Sequence, residues 1–149
     1  MAHVEAVCIS LKKGTVKREQ PSVTVVEEWG IEDDAHAGKW HRQISLLAGE
    51  SIDNVKEILP TLKNGAFAEN IITRGIDLLK VPVGQQLAFG QGVVLEITQI
   101  GKECHNDGCV IKKATGDCIM PREGLFAKVI KGGTISVNDE IVTILERRL

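Results

Sequence analysis

The stretch VVLEITQI, residues 93–100, carries the strongest secondary-structure signal in the chain. Every second residue from Val93 to Ile97 is apolar, whereas Glu96 and Thr98 fall on the other face. Alternation with a period of two is the pattern of a β-strand that buries one face. The segment therefore predicts a strand on the wall of a hydrophobic core.

Other short segments carry a similar strand signal. They are rich in β-branched and aliphatic residues and are separated by breaks that often contain glycine. The segments are Val4–Leu11, Ser22–Glu28, Gln43–Leu47, Ile71–Thr73, Gln86–Phe89 and Ile141–Leu145. Many short strands at this spacing predict a mainly β fold, a closed or partly open β-barrel with a few short helices, because closure removes exposed strand edges.

One amphipathic helix interrupts the strand pattern, in the segment that begins GESIDNV. Its apolar residues Ile52, Val55 and Leu59 are spaced by three and four, as on one face of a helix, and Pro60 is expected to end it. A second, shorter helix is predicted over Arg122–Ile130. No alternation of strands and helices is evident, so a doubly wound sheet is not expected.

Length and charge restrict the class of protein. A chain of 149 residues predicts a single domain, 1–149, with its own core. With 18 basic and 20 acidic side chains and a net charge of −2, it lacks the basic surface expected of a nucleic-acid-binding or anionic-membrane-binding protein. The chain has neither a secretory signal pattern nor an apolar run near the roughly 20 residues of a membrane span, which predicts a cytoplasmic protein.

A polar loop, GIEDDAHAGKWHRQISLL at residues 30–47, contains several ionisable side chains. Asp34 has a simple structural interpretation as the cap of a turn, and His36 and His41 as surface residues. Arg42 gives a more specific indication of a site, because a guanidinium just before an apolar strand needs an anionic partner. That partner is either a ligand or an internal carboxylate.

The segment GAFAENIITRG, residues 65–75, places Glu69 and Asn70 among small and apolar residues. At least one of these side chains is expected to face the interior or a pocket. Because an amide offers donors and an acceptor, Asn70 suits the edge of a heterocycle. The alternative, favoured on the residues alone, is that Asn70 pins a loop through hydrogen bonds to the backbone.

A third segment, residues 101–124, holds three of the four cysteines of the chain, Cys104, Cys109 and Cys118. Zinc sites usually contain two closely spaced ligand pairs, and this segment has no CxxC, so a structural zinc site is only weakly indicated. Cys104 lies just beyond the end of the 93–100 strand, with Lys102 and His105 close to it in the sequence. Nearby positive charge favours the reactive thiolate.

Four motifs follow one another along the chain: GIEDDAHAG with Arg42 after it, AENIITRG, VPVGQQLAFGQGVVLEITQIGKEC, and MPREGLFAKVIKGGTISVNDEI. Together they closely resemble the MOSC family, named after the C-terminal domain of molybdenum cofactor sulfurases. The resemblance runs from about Val4 to Ile144 and rests on all four motifs, since no single one is decisive.

The resemblance implies a β-barrel-centred fold that binds the molybdenum cofactor, a pterin with a dithiolene and a terminal phosphate. In the family a cysteine binds the metal of this cofactor or is thought to carry sulfur for its sulfuration. The family's key cysteine follows the strand that corresponds to Val93–Ile100, so it maps onto Cys104. Cys104 is therefore the expected catalytic and metal-binding residue, and its thiolate is a soft donor.

Six other residues are expected to contact the bound cofactor. They are His36, Arg42, Asn70, Thr73, Lys102 and Arg122. The lysine and the two arginines suit the phosphate, with arginine favoured where the contact is bidentate. The amide of Asn70 and the hydroxyl of Thr73 suit the edge of the pterin.

The resemblance leaves several functions open. The full sulfurases carry a pyridoxal-phosphate domain that generates a persulfide, and 149 residues leave no room for it. Sulfur is therefore expected to come from a partner protein, with a sulfur donor or a molybdoenzyme as the interacting protein. The leading hypothesis is a carrier of the cofactor or its sulfur. The alternatives are an oxidoreductase for small N-oxygenated substrates and a small zinc module built on Cys104, His105, Cys109 and Cys118.

Overall fold

The computed structural model describes residues 1–13, 15–101 and 123–144. Within these ranges the chain forms eleven strands, one α-helix and one short 3-10 helix at Leu78–Lys80. In chain order these are β1 (His3–Ile9), β2 (Arg18–Gln20), β3 (Ser22–Val26), β4 (Gly30–Ile31), β5 (Ile44–Ala48), α1 (Gly49–Lys56), β6 (Ile71–Arg74), β7 (Gln86–Phe89), β8 (Val93–Ile100), β9 (Leu125–Lys131), β10 (Gly133–Ser136) and β11 (Ile141–Ile144).

Two sheets form the body of the molecule. The larger has eight strands in the order β11-β7-β8-β9-β5-β6-β1-β2, and the smaller has the order β10-β3-β4. Backbone hydrogen bonds from Val4 to Asp139 and from Ile141 to Ala2 join the start of β1 to the region of β11, near the opposite ends of the larger sheet. The prediction of a mainly β, closed or partly open barrel is confirmed, in its partly open form.

The core lies between the strands, as the alternation in β8 predicts. Val93, Leu95 and Ile97 are at most 2% exposed and belong to the main hydrophobic cluster, whereas the intervening side chains of β8 are partly exposed. Burial of this face on both β8 and its neighbours stabilises the barrel, since each fully buried aliphatic side chain contributes roughly 1.5–3 kcal/mol.

Helix α1 packs on the outside of the larger sheet. Ile52 and Val55 are buried in a second cluster with Phe126, and Leu59 packs against it, as the helical spacing predicts. The α-helix ends at Lys56, before Pro60. It connects β5 to β6, the one parallel strand pair among the described residues, so the fold contains a single βαβ unit that the sequence pattern did not reveal.

The helix predicted over Arg122–Ile130 is wrong, because most of that segment is strand β9. β9 pairs with both β8 and β5. Leu125 and Ala127 face the barrel core, while Phe126 faces the layer under α1. Because both faces of the strand are covered, its apolar residues do not alternate with polar ones, and the strand period is hidden. None of the described helices has the length and apolar character needed to span a membrane.

Candidate functional site

Strands β8 and β9 bring the two flanks of the cysteine-rich segment together. The backbone N–H of Gly101 donates a 2.6 Å hydrogen bond to the carbonyl of Gly124. The described residues on the two sides of the 102–122 segment therefore meet at one point of the barrel. Six residues singled out from the sequence lie outside the described residues, and their roles stay predictions. They are Lys102, Cys104, His105, Cys109, Cys118 and Arg122.

Arg42 lies between two aromatic rings close to this point. Its guanidinium carbon is 4.6 Å from the ring centroid of Trp40 and 5.7 Å from that of Phe126. Its Nε is buried and has no hydrogen-bond partner in the described part of the chain. No carboxylate among the described residues pairs with Arg42, so the internal partner considered in the sequence analysis is not found there. A stacked guanidinium keeps its in-plane N–H groups for an anion.

The loop that carries Arg42 is tied to the ends of β8 and β9. The Thr98 hydroxyl lies within hydrogen-bond distance of the carbonyls of His41 and Phe126, and the His41 Nε2 is 2.7 Å from the Gln99 Oε1. The side chain of Gln99 also donates to the carbonyl of Gly101. These contacts place the Arg42 loop beside the start of the 102–122 segment.

His36 belongs to a buried charged cluster in the same loop. The Lys17 ammonium lies 2.7 Å from Asp34 Oδ1, 3.1 Å from Ser10 Oγ and 3.0 Å from His36 Nδ1. An ammonium group can only donate, so Nδ1 accepts and a neutral His36 ring carries its proton on Nε2. Lys17 was missed from the sequence, because its neighbours in VKREQ give the appearance of an exposed basic run.

Asp34 is the internal counter-charge of this cluster. It is fully buried with Lys17, and its oxygens also accept hydrogen bonds from the backbone N–H groups of Ser10 and His36. The structural interpretation of Asp34 as a turn-capping residue is therefore confirmed, and the buried ion pair is an additional finding. Full hydrogen bonding offsets the desolvation of the two charges.

Asn70 makes internal contacts. It is fully buried, its Nδ2 donates to the carbonyl of Cys8, and its Oδ1 accepts from the backbone N–H of Ser45. These bonds join the start of β6 to β1 and β5, which is the backbone-pinning role. Thr73 is also fully buried, in β6, but its hydroxyl has no partner among the described residues.

Glu69, next to Asn70, organises the loop before β6. The carboxylate is fully buried and accepts hydrogen bonds from the backbone N–H groups of Gly65 and Phe67. Burial raises the pKa of Glu69, and this effect outweighs the opposing hydrogen bonds and the nearby Lys17.

Cys8 is the only cysteine among the described residues, and its thiol is unsuited to act as a nucleophile or metal ligand. It is fully buried in β1, and burial together with the charges of Glu69 and Glu19 raises its pKa to about 12. This agrees with the core position expected for it. No group of three or more histidine, cysteine or acidic side chains in the described ranges is arranged to hold a metal ion.

Comparisons with known proteins agree with this architecture. A family model described as the MOSC domain matches residues 33–142. The YuaD protein from Bacillus subtilis has a similar crystal structure, with a TM-score of 0.77 and 20% identity over 95% of this chain and 94% of that one. YiiM from Geobacillus stearothermophilus has a TM-score of 0.71 and 17% identity over 97% and 76% of the two chains. YiiM from Escherichia coli has a TM-score of 0.63 and 17% identity over 97% and 71%. No curated protein matches the chain significantly.

Proposed function

Because the chain belongs to the MOSC domain family, we propose that it binds the molybdenum cofactor and carries or delivers the cofactor or its sulfur through Cys104. The family is associated with this cofactor. The proposal includes a single domain over residues 1–149, a cytoplasmic location, and a sulfur-donor or molybdoenzyme partner.

One observation carries the proposal most directly, the buried and unpartnered Nε of Arg42 between Trp40 and Phe126. Leaving a buried charged donor without a partner costs more than the roughly 1–3 kcal/mol of a neutral group. A phosphate in the plane of the guanidinium would satisfy that donor and accept a second hydrogen bond. The residues present therefore fit the terminal phosphate of the cofactor.

Cys104 follows Gly101 by three residues. Gly101 itself lies beside the Arg42 loop, because the Gln99 side chain that contacts His41 also donates to the Gly101 carbonyl. The sequence neighbours of Cys104, Lys102 and His105, favour the thiolate. Cys8 is the opposite case, because burial keeps its thiol protonated.

The protein supplies the binding groups and the sulfur-accepting thiolate. When bound, the cofactor supplies the metal-centred transfer of sulfur or oxygen. For sulfur transfer, the Cys104 thiolate attacks the outer sulfur of a persulfide on the donor protein. The donor's S–S bond breaks, the donor cysteine leaves as a thiolate, and Cys104 becomes a persulfide without net oxidation. The proposal keeps His36 among the cofactor contacts; in its neutral form, with Nδ1 accepting from Lys17, the ring would donate from Nε2.

Purification from a host that makes the cofactor tests the proposal. The wild-type protein should contain molybdenum by elemental analysis and the pterin by mass spectrometry. Cys104→Ser should lose most of the metal, whereas Cys8→Ala should retain it, because Cys8 is buried away from ligands. Equal metal content in both variants would contradict the role of Cys104. Reduction of N-hydroxylated compounds by the loaded protein with an electron donor would distinguish a reductase from a carrier.

A further inference from the structure

We propose that a second site, a cationic groove at the carboxyl end of α1, binds an organic phosphate of nucleotide size. The groove has a volume of about 710 Å³ and is lined in part by Arg18, Lys56, Lys63, Glu19, Leu62 and Ala66. This volume lies within the roughly 300–1,000 Å³ that is typical of small-molecule sites.

The groove concentrates positive charge in a chain whose net charge is −2. Arg18, Lys56 and Lys63 have neither an ion pair nor a side-chain hydrogen bond within the described ranges. Glu19 is the one carboxylate among the described lining residues, and it accepts a 3.0 Å hydrogen bond from the amide of Asn64. Three cations facing one carboxylate favour a ligand with two or more negative charges.

Buried groups hold the two walls of the groove in place. The backbone N–H of Lys17 donates a 2.9 Å hydrogen bond to the carbonyl of Gly65, which joins the 16–19 wall to the 62–66 wall. The buried Glu69 carboxylate accepts from the N–H groups of Gly65 and Phe67. The Lys17 side chain ends in its buried pair with Asp34. The groove is therefore preformed, which lowers the entropy cost of binding.

The lining indicates the chemical class of the ligand. The three cations suit a phosphate or pyrophosphate group, and the aliphatic side chains of Leu62 and Ala66 offer contact area for a ring. The groove lies at the C-terminal end of α1, whereas Ser51, in the first turn, donates to Glu123 at the edge of the 102–122 segment. None of the residues that line the groove is among those proposed to contact the cofactor, so neither proposal depends on the other.

Adenosine diphosphate, inorganic pyrophosphate and adenosine are suitable probes. In ¹H–¹⁵N correlation spectra of the wild-type chain, ADP should shift the amides of residues 18–19 and 63–66. Pyrophosphate should bind more weakly, and adenosine should cause no shift there. ADP affinity should fall as salt rises from about 0.01 M to about 1 M, since the Debye length then shrinks from about 30 Å to 3 Å. No shift at these amides with millimolar ADP would overturn the proposal.

Charge variants provide the matched test. Lys56→Gln/Lys63→Gln should weaken ADP binding at least about 10-fold, as expected for the loss of charge-assisted hydrogen bonds. Lys12→Gln/Lys131→Gln removes the same charge from exposed positions outside the groove and should leave the affinity unchanged. Glu19→Gln should strengthen binding, because it removes the lining carboxylate. Equal weakening by both lysine pairs would overturn the proposal in favour of non-specific attraction.

Discussion

The Lys17 ammonium lies 2.7 Å from the Asp34 carboxylate, and both side chains are fully buried. We expect Lys17→Met to lower the free energy of unfolding by about 3–5 kcal/mol, because it leaves a buried carboxylate without its counter-charge. Asp34→Asn should also destabilise the chain, and the double variant should lose about 1–3 kcal/mol less than the sum of the two. Urea unfolding of the four proteins measures this coupling, and simple additivity would contradict it.

Glu69 should make stability depend on pH. Its folded pKa is raised above the ordinary value of 4.5, chiefly by burial. The stability that this group contributes is therefore present below that ordinary value and is lost as pH rises through the folded pKa. Glu69→Gln cannot ionise, so its unfolding free energy should improve relative to wild type as pH increases through this window. Thermal unfolding of both proteins across this pH range measures the difference, and a constant difference would contradict the expectation.

Cys8 should resist alkylation in the folded protein. Burial raises the pKa of its thiol from 9.0 to about 12, which reduces the thiolate fraction at neutral pH by about 1,000-fold. Peptide mass spectrometry after iodoacetamide treatment should find Cys8 unmodified in the native protein and modified in urea. Native labelling at the rate seen in urea would mean that β1 opens readily.

Gly65 and Gly84 form a matched pair for testing the joint between the groove walls. Both have positive φ, +91° and +93°, so alanine strains the backbone at either position. At Gly84 an added Cβ meets nothing within 4 Å, whereas at Gly65 it would overlap the carbonyl of Lys17. Gly84→Ala should cost about 1–2 kcal/mol and Gly65→Ala clearly more. Equal losses in urea unfolding would show that the Lys17 backbone can move aside.

Variants of Arg42 should separate the contribution of its charge to cofactor retention from that of its planar guanidinium. Arg42→Met keeps an apolar chain between Trp40 and Phe126 but removes the charge, so we expect cofactor retention to fall at least about 10-fold. Cofactor retention by Arg42→Lys should lie between those of Arg42→Met and wild type, because a point charge replaces the planar guanidinium. Arg18→Met, which alters the groove instead, should retain the cofactor. Molybdenum content per chain measures all three, and full retention by Arg42→Met would remove Arg42 from the site.

Local periodicity was enough to predict β8, α1 and the mainly β class. The alternation of Val93, Leu95 and Ile97 and the spacing of Ile52 and Val55 arise from single elements packed on one face. Strand β9 could not be recognised this way, because both of its faces are buried. Strands β2 and β4, with three and two residues, are too short to establish a period.

The candidate site was predictable only in part. The need for a partner at Arg42 followed from its position before an apolar strand, but its contact with Phe126 depends on pairing between β5 and β9. Lys17 looks exposed in the sequence because the polar residues Arg18, Glu19 and Gln20 follow it. Its burial depends on Asp34, 17 residues later, and such long-range pairing leaves no local pattern.

The hydrogen bond between Gly101 and Gly124 also bears on how this protein can evolve. Because the barrel fixes both ends of the intervening segment, residues can be inserted or deleted there without changing the register of β8 and β9. Doubling the length of a closed loop costs only about 0.6 kcal/mol in chain entropy. The same barrel could thus carry segments of different length and sequence, and descendants could acquire new partners while keeping an unchanged scaffold.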